Sequence, residues 1–545
     1  MLARAEAVAA LAAEPFDVLV VGGGITGAGV ALDAATRGYS VALVERADYA
    51  IGTSSRSSKL VHGGLRYLQN FDLGLVREAL LERQLNVALA PHLVRPLPLV
   101  VPAFDGARPD RLTGIGLNMY DVMSTVRRRG RDDDYWSPAR HRVIGGDEVL
   151  ELLPALAARQ PSGGYLFYDC QTDDVRLVQT ILAEAARFGA VSANRLEAVA
   201  LLEDGGRARG ARVVDAETGD ELEIRADNVV NATGVWADRL RPEELHDEAE
   251  VPVIRPSRGT HIIVPGATLP LVAGAIAPAG GGRTIFVLPW LGQTLIGTTD
   301  NDYEGDLERV RPSEDDVRYL LDAVNAFFAA SLGPGDIAGA YAGVRPLIST
   351  GDPRKSVDIS RKAELYETSS GMVTITGGKL TTWRRMAKMT VDRIVEREGR
   401  DAPCRTHQVP LGMTVDPAAL PRVPGVGEEA YAQLAGRYGH AAHEVLAVAG
   451  ERPELAAPIQ PGMPDLLAEA AHAARREQAR TVGDVLLRRT RLALTAARGV
   501  CAPGADAPRR VAGVLAAELG WDAARTEREA AAFRDEAAAE GVVVG

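Results

Sequence analysis

The most specific spacing in the sequence belongs to three glycines near its start. Gly22, Gly24 and Gly27 follow the apolar run 16–21 and open the helical pattern 25–37. In such a strand–turn–helix unit the first glycine allows a tight turn, the second lets the backbone approach a pyrophosphate, and the third lets the helix pack closely on the strand. The free N–H groups at the helix start then bind the phosphates. The spacing therefore predicts a dinucleotide site.

An acidic residue lies where such a site needs one. Glu45 directly follows a second predicted strand, 40–44, and a carboxylate at this point accepts hydrogen bonds from ribose hydroxyls. The start of the chain thus predicts a βαβ unit of a parallel sheet, with a ligand at the carboxyl edge of that sheet.

Three further segments predict contacts to the same ligand. The hydroxyl-rich segment 53–59 comes soon after the second strand, and the junctions 231–234 and 377–381 each end a short apolar strand with a turn. Parallel strands bring such turns to one edge, and a helix starting at Thr381 can stabilise negative charge on a reduced flavin. Together these segments favour a flavin. The candidate cofactor contacts are Gly22, Gly24, Gly27, Glu45, Thr53, Ser54, Ser55, Ser58, Lys59, Gly234, Gly378, Lys379, Leu380 and Thr381.

The rest of the pattern predicts the elements around this sheet. The 545 residues are enough for two or three domains. Helices are predicted within 1–14 and at 71–89, 175–188, 312–330 and 381–397, and irregular, proline-rich chain is predicted at 97–169. Short strands are predicted at 196–202, 211–215, 221–224, 228–231, 261–264, 284–288, 294–297 and 372–376. Beyond residue 401, Ala, Glu and Arg at helical spacing predict a helical region.

Composition and charge exclude several classes of protein. Apolar residues make up 46% of the chain and charged residues 25%, which is typical of a globular protein. The net charge is −12 (61 − 73) without a long basic block, which argues against a nucleic-acid partner. Cys170, Cys404 and Cys501 lack any metal-binding spacing and suit a reducing compartment. No apolar segment approaches the roughly 20 residues of a membrane helix. We therefore expect a cytoplasmic protein without a metal site.

Several longer stretches resemble one enzyme family. They are 17–46, TSSRSSKLVHGGLRYL (53–68), NATGVWAD (231–238), RGTHIIVP (258–265), IGTTD (296–300), GVRPL (343–347), GGKLTTWR (377–384) and DVLLRRT (484–490). In this order they resemble the FAD-dependent glycerol-3-phosphate dehydrogenases, within the D-amino-acid-oxidase-like superfamily. The resemblance implies an α/β fold: a Rossmann-type FAD-binding domain with an inserted β-sheet substrate domain, plus an all-helical C-terminal domain.

The same resemblance implies an activity and domain limits. It implies oxidation of sn-glycerol 3-phosphate to dihydroxyacetone phosphate by hydride transfer to FAD, with electrons passed to a quinone, in glycerol catabolism. The oxidoreductase region is expected at 1–400 and the helical domain at 401–545. Within the first region, FAD-binding parts are expected near 15–70, 190–255 and 350–400, and substrate-binding parts near 71–189 and 256–349.

Cations at the matching positions suit an anionic substrate. On a chain of net charge −12 a phosphate needs a local group of positive charges. Arg66, Arg345 and Lys379 can supply it, because arginine makes forked contacts to phosphate oxygens and lysine a point charge, and Tyr67 adds a hydroxyl donor. We expect Lys379 to lie near N5 or O4 of the flavin, where it would stabilise the reduced ring.

Hydride transfer from C2 also needs a base for the C2 hydroxyl. His261 is the first candidate, because histidine titrates near neutral pH and this one opens a predicted strand. His62, followed by two glycines, is the alternative base. The predicted catalytic residues are His261, Arg345, Lys379 and His62, and the predicted substrate contacts are Arg66, Tyr67, His261, Arg345 and Lys379.

Three alternatives stay open from the sequence. One is an oxidase of the same substrate, with O₂ as acceptor and hydrogen peroxide as product; the inserted segment of such oxidases is not evident here. Another is a flavin-dependent amine or amino-acid oxidase, against which the group of cations argues. The third is a flavin-binding module without turnover, and the retained cations and histidines argue against it.

A quinone acceptor requires access to a membrane surface. Because no spanning helix is predicted, we expect weak peripheral contact, on the inner face of the cell membrane, through one face of a helix. The candidate helices are the first one, around Val8 and Leu11, and the segment of Leu486, Leu487, Arg488 and Arg489. A homodimer is compatible with the sequence.

Overall fold

The computed structural model describes residues 1–65, 72–107, 109–125, 138–240, 253–349 and 363–543. The predicted substrate contacts Arg66 and Tyr67 lie outside the described residues. In chain order the strands are β1 (Phe16–Val21), β2 (Val41–Val44), β3 (Leu60–Val61), β4 (Arg95–Ala103), β5 (Arg142–Gly145), β6 (Gly163–Gln171), β7 (Val191–Ala193), β8 (Leu196–Asp204), β9 (Arg207–Asp215), β10 (Glu221–Asn231), β11 (Val253–Pro265), β12 (Gly274–Pro278), β13 (Thr284–Trp290), β14 (Gln293–Gly297), β15 (Asn301–Asp302), β16 (Gly339–Ser349), β17 (Ala363–Glu367) and β18 (Val373–Gly377).

The helices, also in chain order, are α1 (Arg4–Ala13), α2 (Ile25–Thr36), α3 (Leu73–Leu89), α4 (Arg111–Thr125), α5 (Gly146–Leu152), α6 (Asp174–Arg187), α7 (Glu314–Phe328), α8 (Trp383–Glu398), α9 (Glu428–Tyr438), α10 (Ala442–Glu451), α11 (Leu467–Arg476), α12 (Leu492–Thr495), α13 (Ala497–Val500), α14 (Asp506–Leu519) and α15 (Ala523–Ala539).

The first sheet is built on the strands predicted at the start of the chain. β1 pairs in parallel with β2 and β10, β2 with β7, and β10 with β18, while β17 closes one edge antiparallel and β8 and β9 form a meander leading into β10. Helices α2, α6 and α8 cover one face, and α1 and the meander cover the other. Burial on both faces explains the uninterrupted apolar sequence of β1 and β2.

The predicted elements of this sheet are present, with differences. Strands β7 and β17 were not predicted, β9 begins at Arg207, and the two strands predicted at 221–224 and 228–231 form the single strand β10. Helix α2 ends at Thr36, and the segment 53–65, predicted to lack regular structure, contains a 3₁₀ turn (Thr53–Ser55) and the short strand β3. The predicted meander is present.

The second sheet shows that the prediction for residues 97–169 is wrong. This stretch contains β4, α4, β5, α5 and β6 instead of irregular chain. Pro96, Pro98 and Pro102 occupy alternate positions of β4, so their missing N–H groups fall on one side of the strand. Pairing with β6 on the other side continues along the whole of β4, whereas pairing with β12 is limited to two positions. The prolines are therefore tolerated inside a sheet.

The order of the second sheet places the predicted histidine strand, β11, next to one edge. It runs β15, β11, β14, β13, β12, β4, β6, β3, with β16 beside β11 and β5 beside β6. Its strands come from two stretches, 60–171 and 253–349, whereas those of the first sheet come from 16–44, 191–231 and 363–377. This interleaving confirms the predicted α/β class with an inserted β-sheet region. The numerical domain limits stay a prediction.

Helices α9 to α15 form the C-terminal region, which packs on the second sheet in one apolar cluster. The end of the chain returns to β16, where the Ala340 N–H donates to the Val542 carbonyl at 2.9 Å. Between α11 and α12, Arg488 and Arg489 pair with Asp48 at 2.6 and 2.7 Å across the contact to the first sheet. Buried ion pairs therefore tie the C-terminal region to the loops of the first sheet.

Both predicted membrane contacts are wrong, for the same reason. Leu11 is buried between α1 and the first sheet, with Val8 packed against the same cluster. The segment of Leu486, Leu487, Arg488 and Arg489 is also buried, because its leucines enter the C-terminal core and its arginines form internal ion pairs. In the described part of the chain, no helix is long and apolar enough to cross a bilayer.

Candidate active site

The glycine turn after β1 has the geometry that the sequence predicted. Gly22 has φ +112°, and a Cβ there would lie 2.6 Å from the Ala232 carbonyl oxygen. A Cβ on Gly27 would lie 1.9 Å from the Gly22 oxygen, so this glycine permits α2 to pack on the turn. Gly24 differs, because a Cβ there would meet only the Ser54 hydroxyl, at 3.1 Å. Gly22 and Gly27 are thus required by the backbone of the turn, whereas Gly24 faces the predicted ligand site.

The carboxylate of Glu45 closes the turn from the side of β2. It accepts the Gly23 N–H at 2.7 Å and the Ala47 N–H at 2.9 Å. Burial raises the pKa of Glu45, and the two backbone donors oppose that shift. Its bonds to the turn hold the carboxylate at the end of β2, where a ribose hydroxyl can still donate to it because each oxygen has a second lone pair.

A cavity of about 420 Å³ runs along the carboxyl edge of the first sheet. Its lining extends from Glu45 and the start of β8 to the turn after β18, and it includes the predicted contacts Gly22, Gly24, Glu45, Thr53, Ser54, Gly234, Gly378, Lys379 and Leu380. The volume lies within the roughly 300–1,000 Å³ of cofactor sites. An FAD fits the groups present, since the glycine turn and α2 offer backbone N–H groups to phosphates and Glu45 an acceptor to ribose.

Two predicted cofactor contacts in the segment 53–59, which we call the serine loop, line neither this cavity nor the smaller one described below. The Ser55 hydroxyl points to the carbonyls of Ile51 and Gly52. Lys59 is fully buried, and its ammonium donates to the Ser55 carbonyl at 2.6 Å and to Asp174 at 2.7 Å. Burial lowers the pKa of Lys59 to about 8. The expectation that these two side chains touch the cofactor is therefore not supported by their placement.

A second cavity, of about 200 Å³, adjoins the first and brings the predicted catalytic residues together. His62, His261, Arg345 and Lys379 all line it, although they come from β3, β11, β16 and the turn after β18. The lining shared by both cavities consists of Thr53, Ser57, Pro346, Gly378, Lys379 and Leu380, whereas Ser58 and Thr381 belong to the second alone. Lys379 thus lies at the junction between the dinucleotide cavity and the histidines.

His261 is held tightly at the wall of the second cavity. Its Nε2 shares a hydrogen bond of 2.8 Å with the Ser58 hydroxyl, and its ring stacks on Tyr341 with 4.8 Å between centroids. The side chain is buried, and its Nδ1 has no partner among the residues that the structure describes. Burial, followed by the charges of Lys59 and Arg345, lowers the pKa of His261 well below its usual range. The ring is therefore neutral at pH 7.

His62 has one ring nitrogen already engaged by the backbone. Its Nδ1 accepts the Gly64 N–H at 3.1 Å, which assigns the proton of the neutral ring to Nε2. Its own N–H donates to the Thr381 hydroxyl at 3.1 Å, so β3 and the turn before α8 are joined at this point. In this tautomer the Nε2 of His62 is a hydrogen-bond donor.

Arg345 presents a guanidinium that neighbouring groups orient. Its Nη1 donates to Asp300 at 3.1 Å, and its Nη2 donates to the Thr298 hydroxyl and the Thr299 carbonyl, both at 3.2 Å. Its side chain remains 29% exposed, in contrast to the buried arginines of the C-terminal region. Gly259 makes room for it, since a Cβ there would lie 2.5 Å from Nη2.

Sequence reasoning missed several residues of this site. Ser57 lines both cavities, Tyr341 stacks on His261, and Trp236 lines the first cavity under the guanidinium of Arg46. Ser57 and Trp236 stood inside stretches already compared with the family. Tyr341 carried no signal, because an aromatic residue in a predicted strand is most often a core residue.

Two protein-family models match the chain. The model described as FAD dependent oxidoreductase covers residues 17–393, and the model described as C-terminal domain of alpha-glycerophosphate oxidase covers residues 374–526. The first therefore contains both sheets and all residues of the two cavities.

Similar proteins extend this match over nearly the whole chain. Glycerol-3-phosphate dehydrogenase 2 of Mycobacterium tuberculosis is 39% identical over 540 residues, which cover 97% of this chain and 89% of the relative. The glycerol-3-phosphate dehydrogenase of Mycobacterium leprae is 39% identical over 549 residues, with 98% and 90% covered. The X-ray structure of the glycerol-3-phosphate dehydrogenase from Bacillus halodurans, complexed with FAD, aligns with a TM-score of 0.78 and 29% identity over 99% of this chain and 97% of that one.

Proposed function

The chain belongs to the family of FAD-dependent glycerol-3-phosphate dehydrogenases, and from this premise we propose that it oxidises sn-glycerol 3-phosphate to dihydroxyacetone phosphate in glycerol catabolism and passes the electrons to a quinone. FAD is its cofactor. The observation that carries the proposal is the second cavity, in which two histidines, an arginine and a lysine meet beside the dinucleotide cavity.

Bound FAD supplies the acceptor for the hydride that leaves C2 of the substrate. The residues of the chain then have to hold the phosphate, take the proton of the C2 hydroxyl and keep water away. Gly22, Gly24 and the start of α2 would hold the pyrophosphate, and Glu45 would hold the adenosine ribose.

His261 is the better of the two predicted bases. It is neutral because its pKa is lowered, so it can accept the C2 hydroxyl proton without first losing one. Ser58 and the stacked Tyr341 hold its ring in one orientation. His62 is less suited to this role, because the Gly64 N–H occupies its Nδ1 and Nε2 carries the proton. His62 would instead donate a hydrogen bond to a substrate oxygen.

Arg345 and Lys379 supply the positive charge. Asp300 and Thr298 hold the Arg345 guanidinium in place while part of it stays exposed, which suits forked contacts to phosphate oxygens. Lys379 lines both cavities, so its ammonium can stabilise the negative charge that a reduced flavin carries. Arg66 and Tyr67 remain proposed further contacts to the substrate.

Reduction of the flavin in the absence of oxygen tests the proposal. Adding sn-glycerol 3-phosphate to the FAD-loaded protein should bleach its visible absorption, while glycerol and the enantiomeric sn-glycerol 1-phosphate should bleach it far more slowly. A protein that is bleached by amino acids or amines but not by glycerol 3-phosphate would disprove the proposed substrate.

Reoxidation of the bleached flavin separates the dehydrogenase from the oxidase. A soluble quinone should restore the flavin colour much faster than air, with little hydrogen peroxide formed. Rapid reoxidation by O₂ with one hydrogen peroxide per substrate would identify the oxidase and would leave the assignment of the substrate intact.

We further propose that α4 makes the membrane contact that a quinone acceptor requires. Leu112, Ile115 and Val122 lie along one face of this helix and are 77%, 58% and 60% exposed, while its opposite face packs on α3 and the second sheet. An exposed apolar stripe along one face of a helix favours shallow binding to a lipid surface. The protein would then divide between the cytoplasm and the inner face of the cell membrane.

A further inference from the structure

Every part of the serine loop is held by another element of the fold. The Thr53 hydroxyl donates to the Val344 carbonyl of β16 at 2.6 Å, and the Ser54 hydroxyl accepts the first N–H of α2, that of Ile25, at 2.9 Å. The second half of the loop is held by one buried carboxylate, that of Asp174. Asp174 accepts the hydroxyl of Ser57 at 2.7 Å and its N–H at 3.2 Å.

Asp174 is itself a buried group that depends on cations. It is the first residue of α6 and is fully buried. Lys59 reaches one of its oxygens, and the guanidinium of Arg491 reaches the other. Arg491 also donates to Asp173 at 3.1 Å and to the Ser55 carbonyl at 3.5 Å. The C-terminal region thus contributes a cation, Arg491, that contacts both the serine loop and the carboxylate that holds it.

The contacts of Arg491 lead from the C-terminal region to the wall of the second cavity. Arg491 is 1% exposed and has φ +66°, so both its backbone and its guanidinium are fixed in one arrangement. Asp174 joins it to Ser57, whose carbonyl accepts the Tyr341 hydroxyl at 2.7 Å. The next residue, Ser58, bonds to His261, and Tyr341 stacks on the same ring. Two contacts of His261 therefore rest on the part of the loop that Asp174 holds.

We propose that Arg491 is a positioning residue of the active site: through Asp174 it fixes the serine loop, and through Ser58 and Tyr341 it fixes the orientation of His261. This inference assigns a catalytic purpose to the contact between the C-terminal region and the first sheet. It rests on the proposed function only in that His261 acts on the substrate, and it does not depend on the identity of the electron acceptor.

The ion pair between Arg491 and Asp174 explains why an arginine is needed at position 491. Asp174 accepts bonds from Ser57, Lys59 and Arg491, and a buried carboxylate that loses one cation becomes costly to keep ionised. A lysine at position 491 keeps the charge, but it cannot reach Asp173, Asp174 and the Ser55 carbonyl together, because it lacks the planar fork. The substitution Arg491→Lys therefore removes the geometry while it keeps the ion pair.

The test compares Arg491→Lys with Arg37→Lys in the FAD-loaded protein. Arg37 is a matched control, because it is a buried arginine with two carboxylate partners, Asp33 and Asp392, and one backbone partner, the Ala402 carbonyl, all of them away from the serine loop and from Arg491. The first readout is hydrogen–deuterium exchange at residues 55–61, which needs no substrate. We expect faster exchange there in Arg491→Lys and exchange at the parental rate in Arg37→Lys.

The second readout is the rate of flavin reduction by glycerol 3-phosphate. Arg491→Lys should slow reduction about tenfold, the equivalent of one lost charge-assisted hydrogen bond, with a smaller change in the substrate concentration needed for half-saturation. In a double-mutant cycle Ser58→Ala should add little to Arg491→Lys, because both act on His261, but should act in full on Arg37→Lys. Parental exchange in the serine loop, or reduction within twofold of the parent, would overturn the proposal.

A variant within the loop covers the case in which Arg491→Lys does not fold. Ser57→Ala deletes the hydroxyl that donates to Asp174 and accepts the Lys59 N–H. Because Ser57 also lines both cavities, its readout is exchange alone, which should rise at residues 55–61. Parental exchange in Ser57→Ala would overturn the proposal as well. If the parent itself is not reduced by glycerol 3-phosphate, the proposed function fails, and the exchange data still decide whether Arg491 fixes the loop.

Discussion

At the scale of single residues, the three glycines of the first turn serve different purposes. Gly22 must adopt a positive φ and leaves no room for a Cβ beside the Ala232 carbonyl, so Gly22→Ala should distort the turn and empty the FAD site. A methyl group on Gly24 would meet only the Ser54 hydroxyl among protein atoms but would enter the space of the pyrophosphate, so Gly24→Ala should lower FAD occupancy and the larger Gly24→Val should abolish it. The ratio of flavin to protein absorbance in purified variants measures this. Full FAD occupancy in Gly22→Ala or in Gly24→Val would contradict the placement.

The phosphate contact is also a matter of one side chain. Arg345→Ala should lower kcat/KM for glycerol 3-phosphate by about 10- to 100-fold, because a charge-assisted hydrogen bond contributes about 1.5–3 kcal/mol. Arg345→Lys should recover only part of this, since the fork is lost. Arg255→Ala is the control, because Arg255 lies on β11, pairs with Asp302 at 2.6 Å and lines neither cavity. Steady-state kinetics with a soluble quinone measure the effect, and an unchanged kcat/KM in Arg345→Ala would place the phosphate elsewhere.

At the scale of elements, α4 carries three exposed aliphatic side chains, those of Leu112, Ile115 and Val122. Replacing Leu112, Ile115 and Val122 by serine should weaken binding to vesicles that contain an anionic phospholipid by about tenfold or more, because each large aliphatic side chain contributes up to about 1.5–3 kcal/mol when buried. Activity with a soluble quinone should not change. Sedimentation with vesicles measures the binding.

A matched control for α4 uses exposed apolar residues elsewhere. Phe188, Val272 and Met413 are 42%, 61% and 67% exposed, lie outside α4 and line neither cavity. Their replacement by serine should leave vesicle binding at the parental level. Equal sedimentation of both triple variants, or a parent that never sediments, would remove α4 from the membrane surface.

The elements also show where sequence reasoning succeeds and where it fails. The first βαβ unit was predicted to within one residue at each end, because the glycine pattern, the apolar strands and the helix are all local signals. β4 was missed because three prolines suggest a loop, and only the pairing partner decides on which side of a strand their missing donors fall. The strand that carries His261 was predicted near its position but much too short, since β11 extends from Val253 to Pro265.

The active site shows the same division. Glu45 and the glycine turn could be predicted, because each lies a fixed distance along the chain from the strand it follows. Only the family resemblance predicted that four residues lie together: His62, His261, Arg345 and Lys379. No local sequence pattern relates β3 to β16. Arg491 and Asp174 were not predicted at all, because they are 317 positions apart and each resembles an ordinary surface charge in sequence.

At the scale of the whole molecule, a buried histidine makes the packing of the C-terminal region sensitive to acid. The His92 ring lies where Cβ atoms on Gly412 and Gly439 would be only 3.1 Å away. Burial, followed by the charge of Arg95, lowers the pKa of His92 to about 4. In the unfolded chain a histidine has a pKa near 6.5. The unfolded state therefore binds more protons below that pH, and stability is lost as the pH falls from about 6.5 towards 4.

His92→Gln should reduce this acid sensitivity. The parent should lose about 2 kcal/mol of stability through His92 between pH 7 and pH 5, and the glutamine variant should not lose this part. Thermal unfolding at the two pH values measures it as a smaller drop in Tm for the variant. Equal drops in Tm for parent and variant would show that the pKa of His92 is not lowered in the folded protein.

The bond from Arg491 to the Ser55 carbonyl joins residues 436 positions apart, and this distance has a consequence for synthesis of the protein. A ribosome that adds about 5–20 residues per second needs roughly 20–90 s to cover it. During that interval the nascent chain already contains the glycine turn and, later, the strands of both sheets. It does not yet contain Arg491, whose charge fixes the serine loop at the wall of the second cavity. The cavity for FAD can therefore form during translation, whereas the histidine that faces the substrate is set only when the last part of the chain emerges. A chain that ends before residue 491 therefore lacks the arginine that fixes the serine loop and the orientation of His261.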